Sequence, residues 1–166
     1  ETAAYTKENE LQNLLAESPG LISISDVREG AGSLVAAVRE FALPIGYIDL
    51  LAFSAEGDIA VIECKLASNA EAKRKVIGQV LEYGANLWQM SYVELDQGIR
   101  TRSGASLVEL MENTAPENWD EESFRSNVET ALADGNFILV IVVDVINDEL
   151  ARIVRYMNAT GNQGFD

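Results

Sequence analysis

Asp49, Glu63 and Lys65 are the residues whose types and spacing could do chemistry together. Two apolar runs, residues 47–53 and 59–65, flank the polar link Ser54-Ala55-Glu56-Gly57-Asp58. Gly57 can supply the positive φ that a tight reversal needs, so the stretch predicts a β-hairpin. With the reversal centred near Glu56, Phe53 falls opposite Ile59, Leu51 opposite Val61, and Asp49 opposite Glu63. Side chains alternate along a strand, so Lys65 shares the face of Glu63 while Ile62 and Cys64 point the other way.

Two unit negative charges about 4 Å apart repel by roughly 4 kcal/mol at an effective dielectric of about 20. Set between runs as apolar as Leu50-Leu51-Ala52-Phe53 and Ile59-Ala60-Val61-Ile62, such a pair needs an offsetting charge. Mg²⁺ or Mn²⁺ would supply it, since Mg²⁺ is held by one or two carboxylates together with waters and substrate phosphate oxygens. The backbone carbonyl of Cys64 is the expected third oxygen beside Asp49 and Glu63. Lys65 would orient the attacking water or stabilise the charge that develops at phosphorus. The competing interpretation is a Glu-x-Lys pair on a solvated edge strand with a weak ion pair.

These residues need elements to position them. Leu11, Leu14 and Leu15 repeat at helical spacing within residues 6–17, and Ser18-Pro19-Gly20 stops the pattern. Glu8 lies on the side of Leu11 and Leu15, closer to the buried stripe than Glu10. Residues 21–33 read as loop with at most a short strand. Residues 34–43 read as a strand ending at Pro44, completing a three-stranded antiparallel meander with the hairpin. Arg39 on that strand is expected in a cross-strand ion pair or turned toward the site.

A second helix is expected from a cap at Ser68 or Asn69 to about Met90. Val76, Val80 and Leu87 form one apolar row, with Ile77, Leu81 and Trp88 beside it, so a wide arc should be buried. Lys75, Gln79 and Tyr83 follow at i, i+4 and i+8 and form one polar row. Residues 91–135 are expected to be a helical insertion, with helices over 103–112 and 120–133. The second of these has Asp120 as cap, Phe124, Val128, Ala131 and Leu132 as stripe, and Asp134-Gly135 as stop. The β-branched run 137–145 predicts a strand covered on both faces and reached by a crossover. Asn147 would cap a last helix bearing Leu150, Ile153, Val154 and Met157 on one side.

Asp49, then Glu63-Cys64-Lys65, then a helix bearing Gln79 and Tyr83, resembles the PD-(D/E)XK nuclease superfamily, in the branch with a Gln-x-x-x-Tyr helix motif. The string from Lys73 to Asn86 is similar to that of uncharacterised bacterial members, and the likeness covers most of the chain. Ile48 stands where the family's name puts proline. The resemblance implies an α/β, restriction-endonuclease-like core of helix, three antiparallel strands, helix and strand, here with the helical insertion and a C-terminal helix. It implies metal-dependent hydrolysis of DNA, with Glu8, or failing it Glu10, joining Asp49, Glu63 and Cys64 at the metal. Gln79 and Tyr83 would face the metal site and contact nucleic acid or the attacking water, with Lys73, Arg74 and Lys75 meeting phosphate. A buried glutamine and tyrosine could equally bond to strand-end carbonyls. Relatives continue into another strand and often dimerise to cut both strands, so a fragment of a longer chain and a homodimer are among the expectations.

Composition bounds these expectations. A chain of 166 residues with 48% hydrophobic content fits one domain burying about 70% of its unfolded surface. Nothing resembles a signal peptide or an 18-residue apolar span, so a cytoplasmic protein without a membrane partner is expected. With no histidine, His-based catalysis and His metal sites are excluded. The single cysteine, Cys64, has no internal disulfide partner and reads as a core residue rather than a nucleophile. A net charge of -15 opposes broad nucleic-acid binding, whose affinity comes from Lys and Arg at phosphates. That acidity supports the alternative of a catalytically inactive nuclease-fold domain that binds nucleic acid or a protein partner. Local basic groups, Lys73-Arg74-Lys75, Arg100 with Arg102, and Arg152 with Arg155, temper the objection.

Overall fold

The computed structural model describes residues 2–66, 70–144, 146 and 148–160, with the side chains of residues 2–6 and 70–74 left aside. Helix α1 (Thr2–Glu17) leads through two short 3₁₀ turns, Pro19–Leu21 and Ile24–Asp26, into strand β1 (Leu34–Leu43). The loop contains 3₁₀ turns rather than a short strand, because the apolar residue Ile24 is drawn into the core while its neighbours face water. Strands β2 (Gly46–Ser54) and β3 (Ile59–Lys65) follow, then helices α2 (Ala70–Leu87), α3 (Tyr92–Ser103), α4 (Leu107–Glu112) and α5 (Glu121–Asp134). Strand β4 (Phe137–Val143) and helix α6 (Asp148–Thr160) complete an α/β fold on a four-stranded mixed sheet of order β1-β2-β3-β4.

Strands β1, β2 and β3 are antiparallel neighbours, and β4 joins β3 in parallel after the helical crossover. The hairpin register is as expected, with Phe53 opposite Ile59 and Leu51 opposite Val61. Gly57 makes the reversal at φ +96, and the Ser54 amide donates to the Asp58 carbonyl at 3.1 Å.

Each sheet face carries its own core. Ile59 and Val61 of β3 face α2 to α5, while Ala60, Ile62 and Cys64 face Leu15 of α1 and Ile24. In β1, Val38 and Phe41 both join the larger core, as do Leu51 and Ile48 opposite them. Residues three apart share a face only where the pleat is interrupted. Glu40 at φ +51 marks that interruption, and Asp49 lies across from it.

Several expectations are corrected. The segment after α2 is helical as expected but holds three helices rather than two: α3 precedes the two expected, and the helix expected over 103–112 is only α4. Gly104 at φ +79 ends α3, and Ser106 starts α4 with a capping box to Glu109. Helix α2 stops at Leu87 rather than near Met90, since Gln89 adopts φ +65 and its amide donates to the Leu132 carbonyl. Leu81 and Trp88 are 42% and 52% exposed, so the buried arc is narrower than expected. The Trp88 indole lies over Gly135 and donates to the Ala133 carbonyl, which holds it at the surface. Strand β4 is half-buried along most of its length, not covered on both faces, because it is the last strand of the sheet. Asp120 caps α5, and Phe124, Val128, Ala131 and Leu132 are buried as expected. The caps expected at Ser68 or Asn69 and at Asn147 lie outside the described residues. Among the described residues, no helix is long and apolar enough to cross a membrane.

Candidate active site

Asp49 and Glu63 meet where the β2–β3 ladder stops. The last paired residues are Leu50 and Ile62, so Asp49 and Glu63 are not themselves a ladder pair. Side chains take over there: the Asp49 amide donates to Glu63 Oε1 at 3.1 Å, and the Cys64 amide donates to Asp49 Oδ2 at 2.9 Å. Each carboxyl therefore anchors the other residue's strand. Glu63 is only 3% exposed, and Asp49 is half-buried.

The electrostatics follow from that placement. Burial first, and the Asp49 carboxylate second, push the Glu63 carboxyl up to about 8. Asp49 is raised as well, by burial foremost and then by Glu8, against the opposing pull of the Cys64 amide. Two acids crowded this closely each oppose the other's ionisation. Cys64 faces the α1 side of the sheet, where burial and the neighbouring carboxylates push its thiol up to about 12. It stays a protonated core residue.

Lys65 and Glu8 belong to the same cluster. Lys65 Nζ lies 3.3 Å from Glu8 Oε1, and the Leu66 amide donates to Glu8 Oε2 at 3.0 Å. Both Glu8 oxygens thus hold the end of β3, while Glu10 is exposed. Gln79 Nε2 donates to the Tyr83 hydroxyl at 2.9 Å. Tyr83 is 5% exposed, its hydroxyl sits against Gly46, and its ionisation is opposed by burial and by the charges of Glu63 and Asp49. Of the polar row of α2, Tyr83 therefore lies near the carboxylates, and Gln79 is bonded to it. Lys75 is exposed one turn before Gln79, and the side chains of Lys73 and Arg74 lie outside the described residues.

Other groups enter only through the fold. Arg39 packs on α1, donating to Asn9 Oδ1 and Gln12 Oε1 at 2.8 Å each and also to Asn13, while its buried Nε has no partner. It is neither in the expected cross-strand ion pair nor among the carboxylates. A cleft of about 370 Å³ beside Asp49 and Glu8 is bordered by Asn9, Gln12, Tyr47 and Arg102. Gln12 lies one helical turn after Glu8, a spacing that could have flagged it; Tyr47 and Arg102 carry no comparable sequence signal. Arg102 pairs with Glu40 and donates to the Arg39 carbonyl at 3.0 Å.

Among the described residues, no set of three or more His, Cys, Asp or Glu side chains is gathered around a common metal position. Two carboxylates do not reach that number, yet Mg²⁺ commonly takes only one or two from protein. The donors fit a hard cation: they are all oxygen, and the buried Glu63 carboxyl would be relieved of its repulsion by Asp49. Comparison with family models, curated proteins and solved structures gives no match.

Proposed function

We propose that the chain is a Mg²⁺- or Mn²⁺-dependent nuclease that hydrolyses DNA phosphodiester bonds on a restriction-endonuclease-like core. The element order of helix, three antiparallel strands, helix and parallel strand supports that core. The observation that carries the activity is the pairing of half-buried Asp49 with buried Glu63, with Lys65 two residues on. Asp49, Glu63 and the Cys64 carbonyl would hold the cation. When bound, it supplies the charge that lets both carboxyls ionise and polarises a phosphoryl oxygen.

The chain's own residues do the rest. Glu8 holds the Lys65 ammonium at the edge of the carboxylate pair, where it can orient the attacking water or meet charge developing on phosphate. Gln79 fills a lone pair of the Tyr83 oxygen, leaving the phenol proton available to a group in the site. Lys75 and its neighbours Lys73 and Arg74 would contact phosphates flanking the scissile bond.

Lys65→Ala is expected to abolish DNA cleavage in Mn²⁺ while sparing Mn²⁺-dependent thermal stabilisation; unchanged hydrolysis would reject the assignment. Asp49→Asn should lose both. A cation present at about 100 times its Kd stabilises the native state by about 2.7 kcal/mol, readily seen in a melt. The net charge of -15 favours a second reading, a catalytically inactive domain of the same fold that binds nucleic acid or a protein. That reading expects a melting temperature indifferent to Mn²⁺ at constant ionic strength.

A further inference from the structure

The two edges of the sheet are finished differently. Along β1 the register slips between Leu34 and Ala36, Glu40 turns left-handed, and Arg39 and Glu40 place charge on the strand. Bulges and charges of this kind keep another strand from pairing with an edge. Strand β4 has none of them: Phe137–Val143 contains no charged residue, no proline and no glycine, and its register with β3 is unbroken. Continuous apolar, β-branched sequence is the mark of a parallel strand covered by its surroundings. Yet among the described residues β4 pairs with β3 alone, so every second residue directs an N–H and a C=O outward with no strand to meet them.

Beside that edge lies a cleft of about 340 Å³. Phe137, Ile138 and Leu139 all border it, and since consecutive side chains alternate faces, a cleft touched by all three runs along the edge itself. Ile77 of α2 lines one side, and Val154 and Met157 of α6 form the far wall. Helix α6 is only lightly packed: of its apolar stripe Leu150 alone is buried, and Val154 is 38% exposed. Among the described residues lining the cleft, Arg28 is the one that carries charge, and Asp58 offsets it at 3.5 Å. The lining is therefore neutral, on a chain whose net charge is -15.

A compact apolar ligand would cover the walls and leave the outward backbone groups of β4 without partners, which is costly once water is excluded. An extended chain supplies both a ladder of amides and carbonyls and alternate apolar side chains to fill the space beneath the helix. The thirteen residues of α6 make a wall about 20 Å long, which matches about six residues of strand. A second copy fits poorly, because a two-fold pairing of β4 with β4 brings both α6 helices to the same seam and joins two chains of -15 each.

We propose that the cleft between β4 and α6 takes an extended, uncharged, β-branched segment of a partner protein, which adds to β4 as a further strand of the sheet. The cleft shares no lining residue with Asp49, Glu63 or Lys65, and the inference does not depend on the nuclease reading.

Random peptides displayed on phage would be panned against the full chain, and the selected sequences synthesised, labelled and titrated by fluorescence anisotropy. They should converge on runs of Val, Ile and Thr without charge, and Val154→Lys should weaken them at least about tenfold, the worth of one buried apolar side chain. Val154→Ile should bind them as the parent does. Should Val154→Lys unfold, Met157→Gln tests the same wall. With peptide bound, amide exchange followed by NMR should slow at every second residue of β4, the pattern of a new ladder. Peptides that bind without slowing those amides, peptides indifferent to Val154→Lys and Met157→Gln, or a selection that yields none would each overturn the proposal. Self-association of the chain that Val154→Lys abolishes would overturn it too, giving the cleft to a second copy.

Discussion

Glu63 is the residue on which local energetics and proposed chemistry converge. Its ordinary carboxyl value is 4.5, and the fold raises it to about 8, so between those values the folded state holds a proton that the unfolded chain releases. Stability from this group is complete below about 4.5 and is lost as pH rises toward 8. A melt series without divalent cation should therefore show the melting temperature falling across that window, and Glu63→Gln should flatten the fall. A difference of about 1 kcal/mol shifts a domain of this size by about 2–4 °C, within reach of the measurement. A parent and variant falling in parallel would show that Glu63 is not the titrating group. The adjacency of Asp49 to Glu63 was legible from the hairpin register, and the apolar role of Cys64 from strand alternation. The amide cage around Arg39 was not, because Asn9, Gln12 and Asn13 lie on a helix whose approach to β1 is a tertiary matter.

At the scale of elements, α3 shows what weak apolar contrast conceals. Ser91 and Glu94 form a capping box, and Tyr92, Leu95 and Ile99 are the buried stripe, yet the helix is otherwise polar. The capping signal was present in the sequence; the thin stripe obscured it. Ser91→Ala should cost about 1 kcal/mol in urea unfolding, the usual price of an N-cap. Gly98 explains how α3 lies so close to β1: a Cβ there would sit 2.7 Å from the Phe41 ring, which is 1% exposed and cannot retreat. Gly98→Ala should destabilise by about 1–3 kcal/mol despite its better helix propensity. Phe41→Leu combined with Gly98→Ala should be less destabilised than the sum of the two, because the smaller side chain makes room. Strict additivity would mean that the two residues do not press on each other.

Across the whole molecule, 27 acidic against 12 basic residues make self-repulsion a general destabilising influence. Raising NaCl should increase the melting temperature by screening it, and the divalent effect at Asp49 should persist at matched ionic strength. A Mn²⁺ response reproduced by NaCl alone would be mere screening. The sequence by itself determined the antiparallel meander of β1, β2 and β3, the hairpin register, the stripe of α5 and the adjacency of Asp49 to Glu63 and Lys65. All of these follow from short-range periodicity, turn chemistry and caps, which act between residues near each other in the chain. Only the tertiary structure decided that β4 forms the end of the sheet, that Glu8 holds Lys65, that Tyr83 faces the carboxylates, and that Tyr47 borders a cleft with Arg102. Those arrangements depend on how α1, α2 and α3 pack on a sheet whose pleat is interrupted at Glu40, and packing between distant segments leaves no period in the sequence to read.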